Sequence, residues 1–267
     1  MGKFKPQQAL EWFAQATVFM GVPTLYVRLL QEAALTPERC AHMRLFISGS
    51  APLLVDTFRE WQERTGHTIL ESYGMSETSM LTSNPYHEAD GPRIAGTVGR
   101  PLPGVELRCM TQEQQPCAVG EVGGIEVRGP NVFPGYWRMP EATAKEFTSD
   151  GWFRTGDVGQ VDANGYVTIV GRSKDLIITG GYNVYPAEVE SYLNELDGVV
   201  ESAVIGCPHR DFGEGVVAVV VPQPGAQLDA EHLIEAVKAQ IAGFKVPKRL
   251  FFAKELPRNV MGKVQKK

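Results

Sequence analysis

Within Tyr73–Thr78 (YGMSET), an aromatic ring, two hydroxyls and a carboxylate fall in six residues that follow a short strand-like run, His67–Leu70. That set suits a phosphate ester. Hydroxyl donors meet its oxygens, and a carboxylate such as Glu77 supplies the oxygen ligand that a phosphate-bound magnesium needs. The same hexapeptide also reads as a plain turn with Ser76 or Thr78 capping a helix. A second stretch, Gly171–Glu190 (GRSKDLIITGGYNVYPAEVE), sets Arg172, Lys174 and Asp175 against the apolar run Leu176-Ile177-Ile178. It predicts a charged corner, a buried strand, a tight turn at Gly180-Gly181 where backbone comes close to another group, and a helix from Pro186. Val189, Tyr192, Leu193 and Leu196 recur at three- and four-residue spacing and give that helix one apolar face. An ordinary strand–turn–helix accounts for this stretch as well.

The elements that must position these residues alternate. Residues 5–34 read as helix, strand, helix, with Pro23 and Thr24 supplying the break and the cap. A short strand at Arg44–Ile47 ends at Ser48-Gly49-Ser50-Ala51-Pro52, and Val55–Arg64 is amphipathic through Val55, Phe58 and Trp61. Strands alternating with helices predict an α/β sheet whose ligand sits at loops on strand ends. From about Pro92 to Val170, glycines and prolines separate short β-rich pieces, which predicts an all-β section, a small barrel or sandwich. After Asp175 the texture is mixed again and predicts a compact α+β unit of plausible domain size, with a boundary at Arg172–Lys174.

A chain of 267 residues with 43% hydrophobic and 21% charged residues has the composition of a soluble globular protein. A net charge of −5 with both signs interspersed argues against nucleic acid. The longest apolar runs, such as Val216–Val221, fall short of a membrane helix, and the N-terminal residues lack the pattern of a secretory signal. The four cysteines, Cys40, Cys109, Cys117 and Cys207, form no CxxC pair, so reduced thiols and a cytoplasmic setting are expected.

The strings SGSAPL, YGMSET, GYW, WFRTGD, GRSKDLIITGGYNVYPAEVE and PRNVMGK occur in this order along nearly the whole chain. Together they resemble the adenylate-forming, AMP-binding superfamily of acyl-CoA synthetases, adenylation domains and luciferases. VPTLYVRLL, RLFISGSAPL, TSNPY and GPNVFPGYWRMPE are most similar to bacterial malonyl-CoA synthetases. The resemblance implies an α/β and α+β multidomain fold. Residues 1–171 would be part of a large AMP-binding domain (1–92 α/β, 93–171 β-barrel-like), and 172–267 a mobile α+β lid. It implies ATP, Mg²⁺ and CoA as cofactors, and acyl-adenylate formation followed by transfer to CoA.

The resemblance assigns roles residue by residue. Gly49, Ser50, Ala51 and Pro52 would line the adenine pocket, with Tyr73 stacking on the base and Glu71 and Gly74 nearby. Thr78 would hold the α-phosphate, Glu77 the magnesium, and Asp157 with Arg172 the ribose hydroxyls. Lys263 would neutralise charge as the acyl-adenylate forms, Lys174 would be the hinge, and Gly180, Gly181 and Tyr182 would wall the thiol tunnel. For a dicarboxylate such as malonate, Arg93 or Arg28 would pair with the distal carboxylate; either is otherwise a solvated surface charge. The Ser/Thr/Gly-rich phosphate loop of this family has no counterpart upstream of SGSAPL. That implies a fragment, a truncated product or one piece of a split protein whose partner is an N-terminal half. Two alternatives stay open: a non-catalytic remnant that binds AMP or a partner chain, and a ligase that loads a carrier protein.

Overall fold

The structure is a computed structural model and describes residues 4–259 and 264–266. The chain divides into two compact units, Met1–Thr155 with Gly159–Ile169, and Gly156–Val158 with Val170–Lys267.

In the first unit α1 (Pro6–Trp12), β1 (Val18–Gly21), α2 (Pro23–Leu30), α3 (Pro37–Cys40), β2 (Leu45–Ser48), α4 (Val55–Thr65) and β3 (Ile69–Met75) alternate as expected. Helices α1, α2 and α3 each carry proline in the first turn, where its fixed φ is pre-organised and its missing N–H is not needed. Thr24 is not the cap of α2: Val22 holds that position with no side-chain hydrogen bond. The short helix α3 was not anticipated; it is capped by the Thr36 hydroxyl, which accepts from the Arg39 amide.

Strands β1, β2 and β3 are parallel, and β4 (Ser79–Ser83) and β5 (Arg100–Pro101) extend the same sheet in the order β1-β2-β3-β4-β5. Gly21 pairs with Ser48 and Ser48 with Glu71, so the carboxyl ends of β1 and β2 are level with the middle of β3. The helices press an aromatic core onto this sheet. Trp61 stands edge-on to Phe46 at 4.9 Å and to Tyr26 at 5.0 Å, and all three are fully buried. Such pairs add about 1 kcal/mol each beyond the area they bury.

β6 (Glu106–Met110), β7 (Gly123–Arg128), β8 (Phe153–Val161) and β9 (Val167–Arg172) form a four-stranded sheet in chain order. The stretch 92–170 is not all β. α5 (Pro140–Glu146, PEATAKE) interrupts it, with a proline in its first turn and strong helix formers behind. The guanidinium groups of Arg108 and Arg128 both pack on Trp152, at 4.2 and 4.7 Å from its ring centre. The tryptophans, Trp12, Trp61, Trp137 and Trp152, all belong to the first unit.

In the second unit β10 (Ile177–Thr179), β11 (Tyr182–Val184), β12 (Val199–His209), β13 (Gly213–Pro222) and β14 (Arg249–Phe252) make a sheet in the order β11-β10-β13-β12, with β14 parallel to β13. α6 (Pro186–Asn194) and α7 (Ala230–Lys238) cover it. The predicted apolar face of α6 is in place, with Val189 and Leu193 fully buried and Tyr192 and Leu196 packed at the core margin. Leu176–Ile178 is not a uniformly buried strand. Ile177 is buried and Ile178 is 52% exposed, the alternation of a strand with one wet face.

Candidate functional site

The first constellation lies where β2 ends. Ser50 adopts φ 69°, left-handed backbone that costs a non-glycine residue about 1 kcal/mol. The residues Gly49-Ser50-Ala51-Pro52 thus leave the sheet as a strained loop whose last three members are exposed. A Cβ on Gly49 would meet the Ser72 carbonyl oxygen at 3.4 Å, so the loop runs close over β3. Glu71 is buried, and its Oε1 accepts the Leu53 amide at 3.0 Å. Burial pushes its carboxyl up to about 7, partly offset by that hydrogen bond.

YGMSET does not sit wholly in a turn. β3 runs through Tyr73, Gly74 and Met75, and only residues 76–78 turn before β4. The extension is non-local in origin: Tyr73 pairs with Thr82 and Gly74 with Met80. Gly74 is required there, because a Cβ would lie 2.1 Å from the Ser79 carbonyl oxygen. The Tyr73 ring packs against the apolar cluster around Leu81 and Phe153. The Glu77 Oε1 accepts the Tyr136 hydroxyl at 3.1 Å, and burial with this bond raises the Tyr136 pKa. Thr78 is fully buried, and its hydroxyl donates to the Ser79 carbonyl at 3.2 Å, so in this conformation it shapes the turn and offers nothing to solvent.

Two residues that hold β3 and its turn were missed, although both lie in strings already singled out. Asn131 donates to the carbonyls of Thr78 and Met80 at 2.7 and 3.1 Å. Asn84 donates to those of Glu71 and Thr97 at 3.2 and 2.8 Å and accepts from the Ile94 amide at 3.0 Å. Nothing in the local sequence marks such long-range clamps.

Arg93 is engaged by main-chain carbonyls. Its Nε donates to Pro85 O at 3.0 Å, Nη1 to Thr68 O at 2.8 Å and Nη2 to Tyr86 O at 3.1 Å. Thr68 precedes β3, so Arg93 staples loops at the amino end of that strand, away from the Gly49–Pro52 loop at the carboxyl end of β2. Arg28 is exposed in the last turn of α2.

The second constellation belongs to the other unit. Asp157 is 6% exposed and its Oδ1 meets Arg172 Nε at 3.0 Å. Lys174 is exposed in the single helical turn Ser173–Asp175. Gly180 and Gly181, at φ 57° and 83°, form the two-residue hairpin turn between β10 and β11, where Thr179 pairs with Tyr182. Both central residues need positive φ in that turn type, which is why two glycines stand there. The exposed Tyr182 ring stacks on Phe244 at 4.5 Å. Lys263 lies outside the described residues. Among the described residues no three His, Cys, Asp or Glu side chains gather as a metal cluster.

A family model described as AMP-binding enzyme matches residues 3–137, and one described as AMP-binding enzyme C-terminal domain matches residues 188–263. A malonate–CoA ligase of Arabidopsis thaliana is 42% identical over 270 residues, covering 94% of this chain and 43% of its own length. The mitochondrial malonate–CoA ligase ACSF3 of Homo sapiens is 38% identical over 307 residues, covering 100% and 52%. ATP-bound MatB from Rhodopseudomonas palustris is 58% identical with a TM-score of 0.94, over 99% of this chain and 52% of that one. The chain spans about half the length of the curated relatives it matches.

Proposed function

This chain belongs to the AMP-binding enzyme family, and we propose that it carries part of an ATP-dependent carboxylate–CoA ligase acting on malonate. Relatives named as malonate–CoA ligases and the likeness to ATP-bound MatB support the reading. The structural observation that carries it is the Gly49–Pro52 loop, strained at Ser50 and set at the carboxyl end of a parallel strand. Open α/β sheets bind their ligands there.

In the reaction proposed, a carboxylate oxygen attacks the α-phosphorus of ATP, a C–O–P bond forms and pyrophosphate leaves. A thiol then attacks the acyl carbon, the thioester forms, and AMP departs as the thiol gives up its proton. In the first unit the Gly49–Pro52 loop would receive the adenine, and Glu77 would offer its carboxylate to a magnesium ion that neutralises phosphate charge. In the second unit Asp157, held by Arg172, accepts two ribose hydroxyls, a task for which one carboxylate has enough acceptor sites. The Gly180-Gly181 turn would let backbone approach the thin arm of CoA, and the role of neutralising charge as the acyl-adenylate forms falls to Lys263. Lys174 is the pivot between the two half-reactions.

The test is to mix the purified chain with ATP, Mg²⁺, malonate and CoA and to assay pyrophosphate and thioester. Formation of both supports the ligase. AMP binding without pyrophosphate favours the remnant, and faster transfer to a pantetheinyl carrier protein than to CoA favours the carrier-loading ligase. Where turnover is measurable, Arg93→Ala is expected to raise KM for malonate far more than for butyrate. Equal effects on both would remove Arg93 from the acyl pocket.

A further inference from the structure

Glu71 stands under the Gly49–Pro52 loop and not in it. Its Oε1 takes the Leu53 amide, and its main-chain carbonyl takes both the amide and the side-chain nitrogen of Asn84, at 3.0 and 3.2 Å. Asn84 in turn reaches Ile94 and Thr97, so one buried network ties the loop to β3 and to the turn at 94–97. Among the described residues the second carboxyl oxygen, Oε2, is buried without a hydrogen-bond partner, and so is the hydroxyl of Ser48, its register partner on β2. Orphaned buried oxygens are costly, and a fold that keeps them has a reason tied to the group they belong to.

We infer that Glu71 is a positioning residue, which acts on the nucleotide through the Leu53 amide by holding the loop in its strained form, and does not itself touch the nucleotide. This rests on the reading of the Gly49–Pro52 loop as the nucleotide loop. The clamp has a chemical consequence. With its carboxyl pushed up to about 7 by burial, Glu71 changes charge near neutrality. Strands β2 and β4 on either side carry no ionisable side chain, and β3 adds only Tyr73. α4, packed on β3, carries Asp56, Arg59, Glu60 and Glu63 on its exposed face, and Arg64 turned toward the carbonyls of Leu30, Glu32 and Leu35. Burial and the Leu53 amide set the shift, with no charged neighbour contributing. As a carboxylate Glu71 is the stronger acceptor for Leu53, and as a neutral acid the weaker one.

The experiment measures AMP binding by calorimetry at pH 8 and pH 6, together with hydrogen exchange at the Leu53 amide, for the wild-type chain, Glu71→Gln and Glu71→Leu. Glu71→Leu removes the acceptor and is expected to weaken AMP about tenfold at pH 8 and to speed Leu53 exchange. Glu71→Gln keeps an acceptor oxygen and is expected to recover affinity to within about threefold. Between pH 8 and pH 6 the wild type is expected to lose about fivefold more than Glu71→Gln, a ratio from which the titration of AMP itself cancels. If Glu71→Gln binds as poorly as Glu71→Leu while Leu53 exchange stays slow, the carboxylate touches the nucleotide and the inference fails. Should the wild type bind no AMP at either pH, the nucleotide reading fails. Leu53 exchange still decides the clamp in that case, unchanged exchange in Glu71→Leu overturning it. Exchange in β6 and β7, which belong to the same unit as Glu71, reports whether the leucine variant has folded. If it has not, the Glu71→Gln pH comparison stands alone, and an equal pH response in both proteins overturns the inference.

Discussion

Leu53 and Gly180 each fix a candidate loop by donating a single N–H, but to different kinds of acceptor. Leu53 gives its proton to the carboxyl group of Glu71 at 3.0 Å, Gly180 to the main-chain carbonyl of Phe212 at 2.9 Å. The first loop is strained, irregular and dependent on a buried ionisable side chain. The second is a regular hairpin turn whose shape comes from φ values that glycine adopts at no cost. A loop held by a side chain can be tuned by protonation and broken by one substitution. A loop held by backbone answers only to changes in conformational preference. The first arrangement suits a group that must be placed accurately, the second a surface that only has to be slim.

The sharpest way to test this contrast is at Gly74, which belongs to the first region yet is constrained by backbone approach. A methyl group there meets the fixed carbonyl of Ser79. Gly74→Ala is expected to cost about 3 kcal/mol in urea denaturation, because neither strand can retreat without breaking the β3–β4 pairing. A loss below about 1 kcal/mol would mean that the hairpin is looser than its geometry implies.

Next comes the pH dependence of stability. The folded Glu71 carboxyl is pushed up to about 7 from the ordinary 4.5, so the fold binds this proton more tightly than the unfolded chain does. Its stabilising contribution is present in full below pH 4.5 and is lost as pH rises through 7. The amplitude is about 3 kcal/mol at most between those limits. Denaturation of the wild type and of Glu71→Gln across pH 5 to 8 should show a slope in the first that is flattened in the second. No comparable slope is expected from the hairpin, and if Glu71→Gln leaves the pH profile unaltered the contrast between the loops disappears. The fold and the clamp pull in opposite directions here: the protonated acid is cheaper to bury, the charged one holds Leu53 better.

The smallest effect is expected in the glycine pair. Gly180→Asn should be nearly neutral, since asparagine tolerates the left-handed turn, whereas Gly180→Val should cost about 1–2 kcal/mol. Equal penalties for the two would show that Gly180 is needed for space and not for its φ.

Much of this was legible in advance, for reasons that are local. Proline at helix starts, the alternation of apolar runs, the paired glycines and the face of α6 are signals carried by neighbouring residues. What escaped is non-local. β3 continues through polar Ser72 and through Gly74 because β4 pairs with it, and no residue within 69–75 announces that. α5 hides in a glycine- and proline-rich context that reads as β. Ile178 faces water although its neighbours are apolar, because the strand alternates. At the candidate site the loop and the carboxylates could be named from their strings. The burial of Glu71 and Thr78, and the capture of Arg93 by carbonyls of Thr68, Pro85 and Tyr86, depend on residues many positions away.

The uneven distribution of indole rings has a practical consequence. Every tryptophan lies in the first unit, two of them deeply buried at Trp61 and Trp152 and two exposed at Trp12 and Trp137. Emission excited at wavelengths only indole absorbs therefore reports the first unit alone, while the second unit, which keeps tyrosines such as Tyr182, Tyr185 and Tyr192, stays dark. Melting followed by that light and by backbone dichroism together would reveal whether the two units come apart in one event or in two.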